Sequence, residues 1–572
     1  MTTPDYLPTM PNMVRHIGAR YGEKDALIRG PRRLTYAELE RESALIARGM
    51  LAQGLGKGSR IGLLMPNSPD WVAMLLAIMR IGGVAVPMST LYQAPEMRYV
   101  LGHADICTLV IAGRYLRHDY LERLEAALPG LAGQARDRLA LPSAPYLRSI
   151  VVWNGADQPP DRPWASAGPE VFLKAARALP AMDEAMLQAA EANVTPADPC
   201  CIIYTSGSTA EPKGVVHLNG AFIRHSYQMA NDYWPFLEGD RIASVRPFFW
   251  VAGLSATLFH SLHLGACLIY PEPDTPAEIR RLIETEGVTG VSGTGGWMGT
   301  VRTDEAFADG EYRLHQVAND CCLLAARQAD GGYALVNPRL EKTIGAAALP
   351  LPLDRLPRNF GMTEALGAHT AEPAPALIPE DKRGAFARPV PGVHLKIVDR
   401  ETRRPLPPGE IGELLVSGYS LMDGLYKRER SQVFTADGFY PTGDLCVLDE
   451  DGFLTFTGRA GDMVKVHGAN VAPLEVESHL NAMPEVEESA VVGLPIGGGD
   501  SLLVAAVTPR GAAQLTEAEL IERLKPLLSS FKVPKRIVFM GGDELPKTGS
   551  GKIKKAALAA LLAPLAETQA AS

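Results

Sequence analysis

Apolar and polar positions alternate with two periods along the first part of the chain, and the switches between them outline strands and helices. Thr35-Tyr36-Ala37-Glu38 has the capping-box pattern and predicts a helix running toward Gly54. Arg60 to Pro66 (RIGLLMP) is a short apolar run that predicts a strand. Ser68-Pro69 then opens a second helix, with proline in its first turn. Val84 to Met88 predicts the next strand, Pro95 to His103 a helix, and Thr108 to Ala112 another strand. Strands alternating with helices imply parallel βαβ units and a layered α/β sheet.

Residues 130 to 200 are less regular, with prolines clustered from Pro159 to Pro163. Pro405-Leu406-Pro407-Pro408-Gly409 opens a β-rich stretch, where GEIGELLVSG (409–418) reads as hairpin-like. The style changes again after Gly458. A helix from Leu474 to Met483, strands over Ser489–Leu494 and Leu502–Thr508, and a capping-box helix at Thr516-Glu517-Ala518-Glu519 follow in quick order. These predict a compact α+β unit, with a boundary near residues 459 to 461. No internal repeat is evident, and the only biased segment is the Ala-rich last helix.

A chain of 572 residues exceeds what one core holds, so two or more domains are expected. Hydrophobic content of 46% and charged content of 21% are ordinary for a globular protein. A net charge of -9 argues against nucleic acid as the main partner. The apolar run Val72 to Met88 contains Arg80 and two glycines. It is too short and broken to span a bilayer, and predicts a buried helix followed by a strand. The N-terminal stretch lacks a continuous apolar run and does not read as a signal peptide. The seven cysteines, at 107, 200, 201, 267, 321, 322 and 446, form no CxxC pair. Reduced, mostly buried thiols in a cytoplasmic protein are expected.

Tyr204-Thr205-Ser206-Gly207-Ser208-Thr209-Ala210-Glu211-Pro212-Lys213-Gly214 packs hydroxyls, glycines and a lysine between apolar strands. Glycines let backbone approach an anion, and hydroxyls and amides donate to phosphate oxygens. The spacing is not the GxxxxGK[ST] of a P-loop. Taken alone, it has equal claim to being a Ser/Gly surface loop. Four further segments join it. Asn359-Phe360-Gly361-Met362-Thr363-Glu364 offers an aromatic to a purine, a hydroxyl to phosphate and a hard oxygen ligand to Mg²⁺. Its bland alternative is a turn after an apolar strand. Tyr440-Pro441-Thr442-Gly443-Asp444 places a carboxylate where ribose hydroxyls could donate to it, or it is an ordinary turn aspartate. Gly458-Arg459-Ala460-Gly461-Asp462 combines a nucleotide-pairing arginine with a swivelling glycine, or is a solvated linker. Leu545 to Lys555 (LPKTGSGKIKK) is a Gly/Ser loop presenting lysines, or a basic surface loop before a helix.

In this order the five segments resemble the adenylate-forming superfamily of acyl-CoA synthetases, peptide-synthetase adenylation domains and firefly luciferase. Among these branches the chain is most similar to the acyl-CoA synthetases, from about residue 10 to residue 562. The resemblance implies an α/β protein. A large N-terminal domain (1–459) of layered α/β subdomains plus a β-rich subdomain would carry a small mobile α+β C-terminal lid (460–572). It implies ATP, Mg²⁺ and coenzyme A as cofactors and a small-molecule carboxylic acid as substrate. It implies no nucleic acid and no transmembrane segment, and leaves a homodimer open. Lys552 is implied as the catalytic lysine of acyl-AMP formation, acting with Glu364, Thr205 and Thr363. Thr205, Ser206, Gly207, Ser208, Thr209 and Lys213 would hold pyrophosphate. Phe360, with Asn359, Gly361 and Met362, would lie on adenine, bordered on the other side by Gly345, Ala346 and Ala347. Thr363 would touch the α-phosphate, Glu364 would hold Mg²⁺, and Asp444 and Arg459 would bind ribose. CoA would enter beside Lys465, His467, Gly468 and Ala469.

The chain departs from the family pattern in four places. Trp250, in Pro247-Phe248-Phe249-Trp250-Val251-Ala252-Gly253, stands where many relatives carry histidine. Phe360 stands where most carry tyrosine, so stacking survives without the hydroxyl. Gly461, followed by Asp462, replaces the usual hinge residue, and the span from Gly345 to Phe360 is shorter than usual, as if a helix were trimmed. The implied acyl wall is Trp250, Val251, Leu254, Gly293, Thr294, Gly295, Gly296, Met362 and Leu366, which carries no charge. No acidic residue lies around Phe248 to meet an ammonium, so amino acids are disfavoured. The expectation is a CoA ligase for a hydrophobic fatty, aromatic or alicyclic acid. The alternatives are an acyl-AMP ligase that loads an acyl carrier protein, a non-catalytic nucleotide-binding module, or a kinase that makes ADP.

Overall fold

Strand–helix alternation builds the N-terminal part as expected. The structure is a computed structural model that describes residues 2–153, 162–205, 211–293, 295–308, 310–318, 321–340, 350–374, 376–459, 464–471, 473–497, 500–511, 515–541, 544–547 and 553–564. One sheet runs in the order Gly424–Leu425, Lys213–Leu218, Pro199–Thr205, Val84–Pro87, Arg60–Leu64, Thr108–Ala112, Ser149–Trp153, Ser166–Gly168. From Pro199–Thr205 to the last strand every pairing is parallel. A second sheet is centred on Arg241–Ser244, which pairs in parallel with Cys267–Ile269 and Gly290–Ser292.

The helix Pro69–Arg80 joins the core shared by both sheets, and all its residues but Asp70 are buried. That explains why its sequence reads as a continuous apolar run rather than an amphipathic stripe. The Ser68 hydroxyl caps it, accepting the Trp71 N–H at 3.1 Å. Arg80 is fully buried, and its guanidinium donates to Glu191, the Glu40 carboxylate and the Ser43 hydroxyl. Thr35 and Glu38 form the expected capping box of the helix Tyr36–Ala52.

Two sequence readings need correction. The stretch 409–418 is no self-contained hairpin. Gly412–Gly418 is one inner strand of a four-stranded antiparallel sheet, paired with Val393–Val398 on one side and Tyr440–Leu448 on the other. The region 130–200 is more regular than its prolines suggested. It holds the strand Ser149–Trp153 and the helices Glu170–Ala178 and Glu184–Ala192. Docking of Phe172 and Leu187 into the core stabilises these short helices, a signal that local composition lacks.

The four-stranded sheet ends with Leu454–Arg459. Beyond it, Val486–Gly497 and Asp500–Pro509 pair antiparallel, and Arg536–Phe539 adds in parallel. The helices Pro473–Asn481 and Glu517–Leu524 cover this sheet over a core of its own, including Val476, Leu480, Val491, Leu520 and Leu524. Six of the seven cysteines are buried and all are free, as expected. Among the described residues no helix is long and apolar enough to cross a membrane.

Candidate active site

The phosphate-type loop is closed by an antiparallel pair in which Thr205 faces Lys213. The strands behind them, Pro199–Thr205 and Lys213–Leu218, lie inside the large sheet and hold the two ends rigidly. Ser206, Gly207, Ser208 and Thr209 lie outside the described residues.

The second motif is a tight hairpin. Phe360–Met362 pairs with Gly367–Thr370, joined by a single turn over Thr363–Ala365. A Cβ on Gly361 would lie 2.4 Å from the Gly367 carbonyl oxygen, so only glycine fits there. The Phe360 ring packs against Phe386 at 4.8 Å, Phe456 at 5.6 Å and edge-on against His369 at 5.3 Å. Its N–H donates to the Thr370 hydroxyl at 2.9 Å. Asn359 is exposed and Met362 half-buried.

Three contacts fix the turn that carries Thr363 and Glu364. The Tyr440 hydroxyl donates to Glu364 Oε1 at 3.3 Å, and the Met422 N–H donates to the Glu364 carbonyl at 2.7 Å. His217 Nε2 lies 2.9 Å from the Thr363 carbonyl oxygen. A carbonyl only accepts, so Nε2 carries the proton. Burial pushes the His217 imidazole down to about 4, which keeps it neutral in this role. Neither His217 nor Met422 was singled out from sequence. The available signal was a histidine in the otherwise apolar strand KGVVHL. His217 thus joins the strand leaving the phosphate-type loop to the Thr363–Glu364 turn. His217→Leu should lower acyl-adenylate formation by about tenfold to a hundredfold, because small misplacements near reacting groups cost that much. His217→Gln, which keeps a donor, should recover most of the rate. ATP–pyrophosphate exchange measures both, and a leucine variant as fast as the parent would rule out this positioning role.

Asp444 lies within the strand Tyr440–Leu448 rather than in an open turn, and is 3% exposed. Its Cα partner across the ladder is Arg459, so the two expected ribose-binding residues sit side by side on neighbouring strands. The Tyr440 contact to Glu364 brings this strand to the second motif.

The implied acyl wall is only partly assembled from described side chains. Leu254 and Leu366 are fully buried. A Cβ on Gly293 would meet the Trp297 ring at 2.3 Å, so that glycine makes room for the indole rather than for open space. Gly295 and Gly296 begin the helix Gly295–Thr303, and Thr294 lies outside the described residues. Trp250 precedes Val251 at the start of a helical segment. Its ring packs edge-on against Phe249 at 5.3 Å and against Phe531 of the C-terminal unit at 6.2 Å.

Lys465 and His467 are exposed beside a two-residue hairpin turn. His467 and Gly468 both have positive φ, as such a turn demands. The His467 N–H donates to Asp500 at 2.6 Å. Ala469 is 8% exposed. Gly345, Ala346, Ala347, Gly461, Asp462 and Lys552 lie outside the described residues, as does the Arg459 side chain. After the undescribed span 341–349, the chain to Phe360 holds one short helical turn, Leu353–Arg355.

As a magnesium ligand, Glu364 has the right donor chemistry. A single half-buried carboxylate suits an ion that binds through one or two carboxylates plus substrate phosphates. Among the described residues no cluster of three His, Cys, Asp or Glu could form an all-protein metal cage.

Residues 14–426 match the AMP-binding enzyme family, and residues 475–552 match the AMP-binding enzyme C-terminal domain. An acyl-CoA ligase of Ajellomyces capsulatus is 29% identical over 92% of this chain and 86% of that protein. A feruloyl-CoA synthase of an Amycolatopsis species is 28% identical over 93% of this chain and 94% of that protein. The fold is shared with the crystal structure of an o-succinylbenzoate CoA synthetase from Bacillus subtilis. That match has a TM-score of 0.67 at 21% identity and covers 96% of this chain and 98% of the other.

Proposed function

This chain belongs to the AMP-binding enzyme family, the adenylate-forming superfamily close to the acyl-CoA synthetases, and from that premise we propose which acid it takes and which residues act. It is an AMP-forming, ATP-dependent acid–CoA ligase that works through an acyl adenylate. The acid proposed has a largely apolar fatty, aromatic or alicyclic body. The observation that carries the site assignment is the convergence of two separate strands, through His217 and Tyr440, and of the loop residue Met422 on the Thr363–Glu364 turn.

In the first half-reaction the substrate carboxylate attacks the α-phosphorus of ATP, and the bond to the bridging oxygen breaks to release pyrophosphate. Both partners are anions, so the chief need is charge neutralisation where the phosphate oxygens gain charge. Lys213 and the hydroxyls from Thr205 to Thr209 are assigned to the departing pyrophosphate, Thr363 to the α-phosphate, and Lys552 to the transferring phosphoryl oxygens. Glu364 would hold Mg²⁺, which when bound supplies further positive charge to the same oxygens. Phe360 is assigned to adenine, and Asp444 with Arg459 to the ribose hydroxyls. In the second half-reaction the CoA thiolate attacks the acyl carbonyl and AMP leaves. Lys465, His467, Gly468 and Ala469 are assigned to the pantetheine path. A boundary at 459–461, with Gly461 and Asp462 as pivot, would let the C-terminal unit present Lys552 first and the His467 turn second.

The apolar acid is supported by Leu254 and Leu366, both fully buried, and by the absence of any acidic residue from Pro247 to Gly253. The test is a panel of fatty, aromatic, alicyclic and amino acids with ATP and CoA. AMP and pyrophosphate should form in equal amounts, with a thioester detected by mass, for apolar-bodied acids only. ADP as the product, or preference for amino acids, would overturn the assignment.

A further inference from the structure

A group of buried polar side chains lies behind the site and takes no part in the roles assigned above. His225 and Gln228 stand on the helix Asn219–Asp232, His260 and His263 on His260–Leu264, and His369 on the strand Gly367–Thr370. Each is at most 4% exposed. Gln228 Nε2, His260 Nδ1, His263 Nδ1 and both ring nitrogens of His369 have no hydrogen-bond partner among the described residues, whereas His225 meets the Tyr419 hydroxyl and the Ala368 backbone. Groups buried to shape a core are normally paired, because leaving them unpaired is costly. So many orphan nitrogens in one place point to a ligand with which they pair.

Their position says which ligand. The His369 ring stands edge-on against Phe360 at 5.3 Å. At the far end, Arg246, within electrostatic reach of His260, donates to the Gly293 carbonyl oxygen at 3.2 and 3.1 Å. His225 lies within electrostatic reach of both His260 and His369. The string therefore runs from the proposed acyl wall at Gly293 to the proposed adenine motif at Phe360. The segment that begins at Leu254 and leads into His260 is a π-helix, Leu254–Phe259. That rare distortion often re-aims side chains at functional sites.

We infer that the acid carries an uncharged hydrogen-bonding group, a hydroxyl or carbonyl, on its apolar body, and that the Gln228, His260 and His369 side chains recognise it. This rests on the acyl-pocket assignment proposed above. Burial holds these imidazoles neutral, with His225 and His369 both pushed down to about 3. A neutral ring offers one donor and one acceptor, which suits a hydroxyl in either role. Among the described residues of this string the one cation a second carboxylate would find is Arg246, whose guanidinium already serves Gly293.

Three acid pairs test this: 4-hydroxycinnamate against cinnamate, 8-hydroxyoctanoate against octanoate, and 3-(4-hydroxycyclohexyl)propionate against 3-cyclohexylpropionate. A site that hydrogen-bonds a substrate hydroxyl rejects the analogue lacking it far more strongly than an apolar pocket rejects a missing methylene. In at least one pair the hydroxylated acid should have a kcat/KM more than about tenfold higher. His260→Phe and His369→Phe should bring that ratio toward one while leaving the KM for ATP unchanged. If the apolar member is used as well or better in every pair, the inference falls, although thioester formation still upholds the ligase assignment. Folded variants that keep the parent ratio would overturn the role of these histidines. Should a variant fail to fold, the parent ratio decides. If no acid of either kind yields AMP, the acyl-pocket assignment itself fails.

Discussion

Lys552→Ala should lose acyl-adenylate formation by about a hundredfold or more, the typical cost of removing one donor aimed at developing charge. The same variant should still convert presynthesised acyl-AMP and CoA to thioester at close to the parent rate. The reason lies in the charges. Attack on ATP brings a carboxylate toward a polyanion, so every positive charge near the α-phosphate counts. Attack of a thiolate on a mixed anhydride moves one negative charge from sulfur to the departing AMP phosphate, and the bond forms at an acyl carbon rather than at the α-phosphorus of a polyanion. ATP–pyrophosphate exchange follows the first half-reaction, and thioester mass follows the second. Equal losses in both, in a folded variant, would remove Lys552 from the first step.

The second large effect concerns Lys532, which binds the C-terminal unit to the N-terminal part. Its ammonium is 4% exposed and donates to Glu96 at 2.8 Å and to Glu475 at 2.9 Å. Burial alone would lower it, but the two carboxylates outweigh burial and hold it above the usual lysine value. The Ser529 hydroxyl bonds the same Glu96 carboxylate, at 2.9 and 2.8 Å to its two oxygens. Glu475 is pushed up by burial, which exceeds the lowering by Lys532. Lys532→Met would leave Glu96 and Glu475 buried without their cation, and breaking such an arrangement costs about 3–5 kcal/mol. Urea unfolding should show that loss, and Glu96→Gln in the Lys532→Met background should recover part of it. A methionine variant within about 1 kcal/mol of the parent would mean that the ammonium does not hold the pair together. Because Glu96 sits on the helix Ala94–His103, any rotation of the C-terminal unit must break this contact. Glu96→Gln alone should therefore change the ratio of the two half-reaction rates, as measured with ATP–pyrophosphate exchange and with acyl-AMP plus CoA.

Short-range signals were legible because their cause is local. The Thr35–Glu38 and Thr516–Glu519 boxes pair a hydroxyl and a carboxylate with backbone N–H groups three residues away, so the pattern itself specifies the bonds. The apolar runs at Arg60, Val84 and Thr108 became neighbouring parallel strands because both of their faces are covered. The glycine of the second motif was legible as a residue type. Its reason, a backbone approach too close for any Cβ, was not.

By itself, the sequence determined the order of elements, the change of style after Gly458 and the family to which the five motifs belong, since each follows from residues close together along the chain. Only the tertiary structure decided which distant groups meet. It set Lys532 on Glu96 across 436 positions, His217 on Thr363 across 146, and Tyr440 on Glu364 across 76. It also gathered histidines from two helices and a strand into one buried string, several of whose ring nitrogens have no partner among the described residues. No periodicity announces such meetings, because a buried polar group finds its partner wherever packing brings one within hydrogen-bond distance, and packing is fixed by the whole core rather than by the neighbouring sequence.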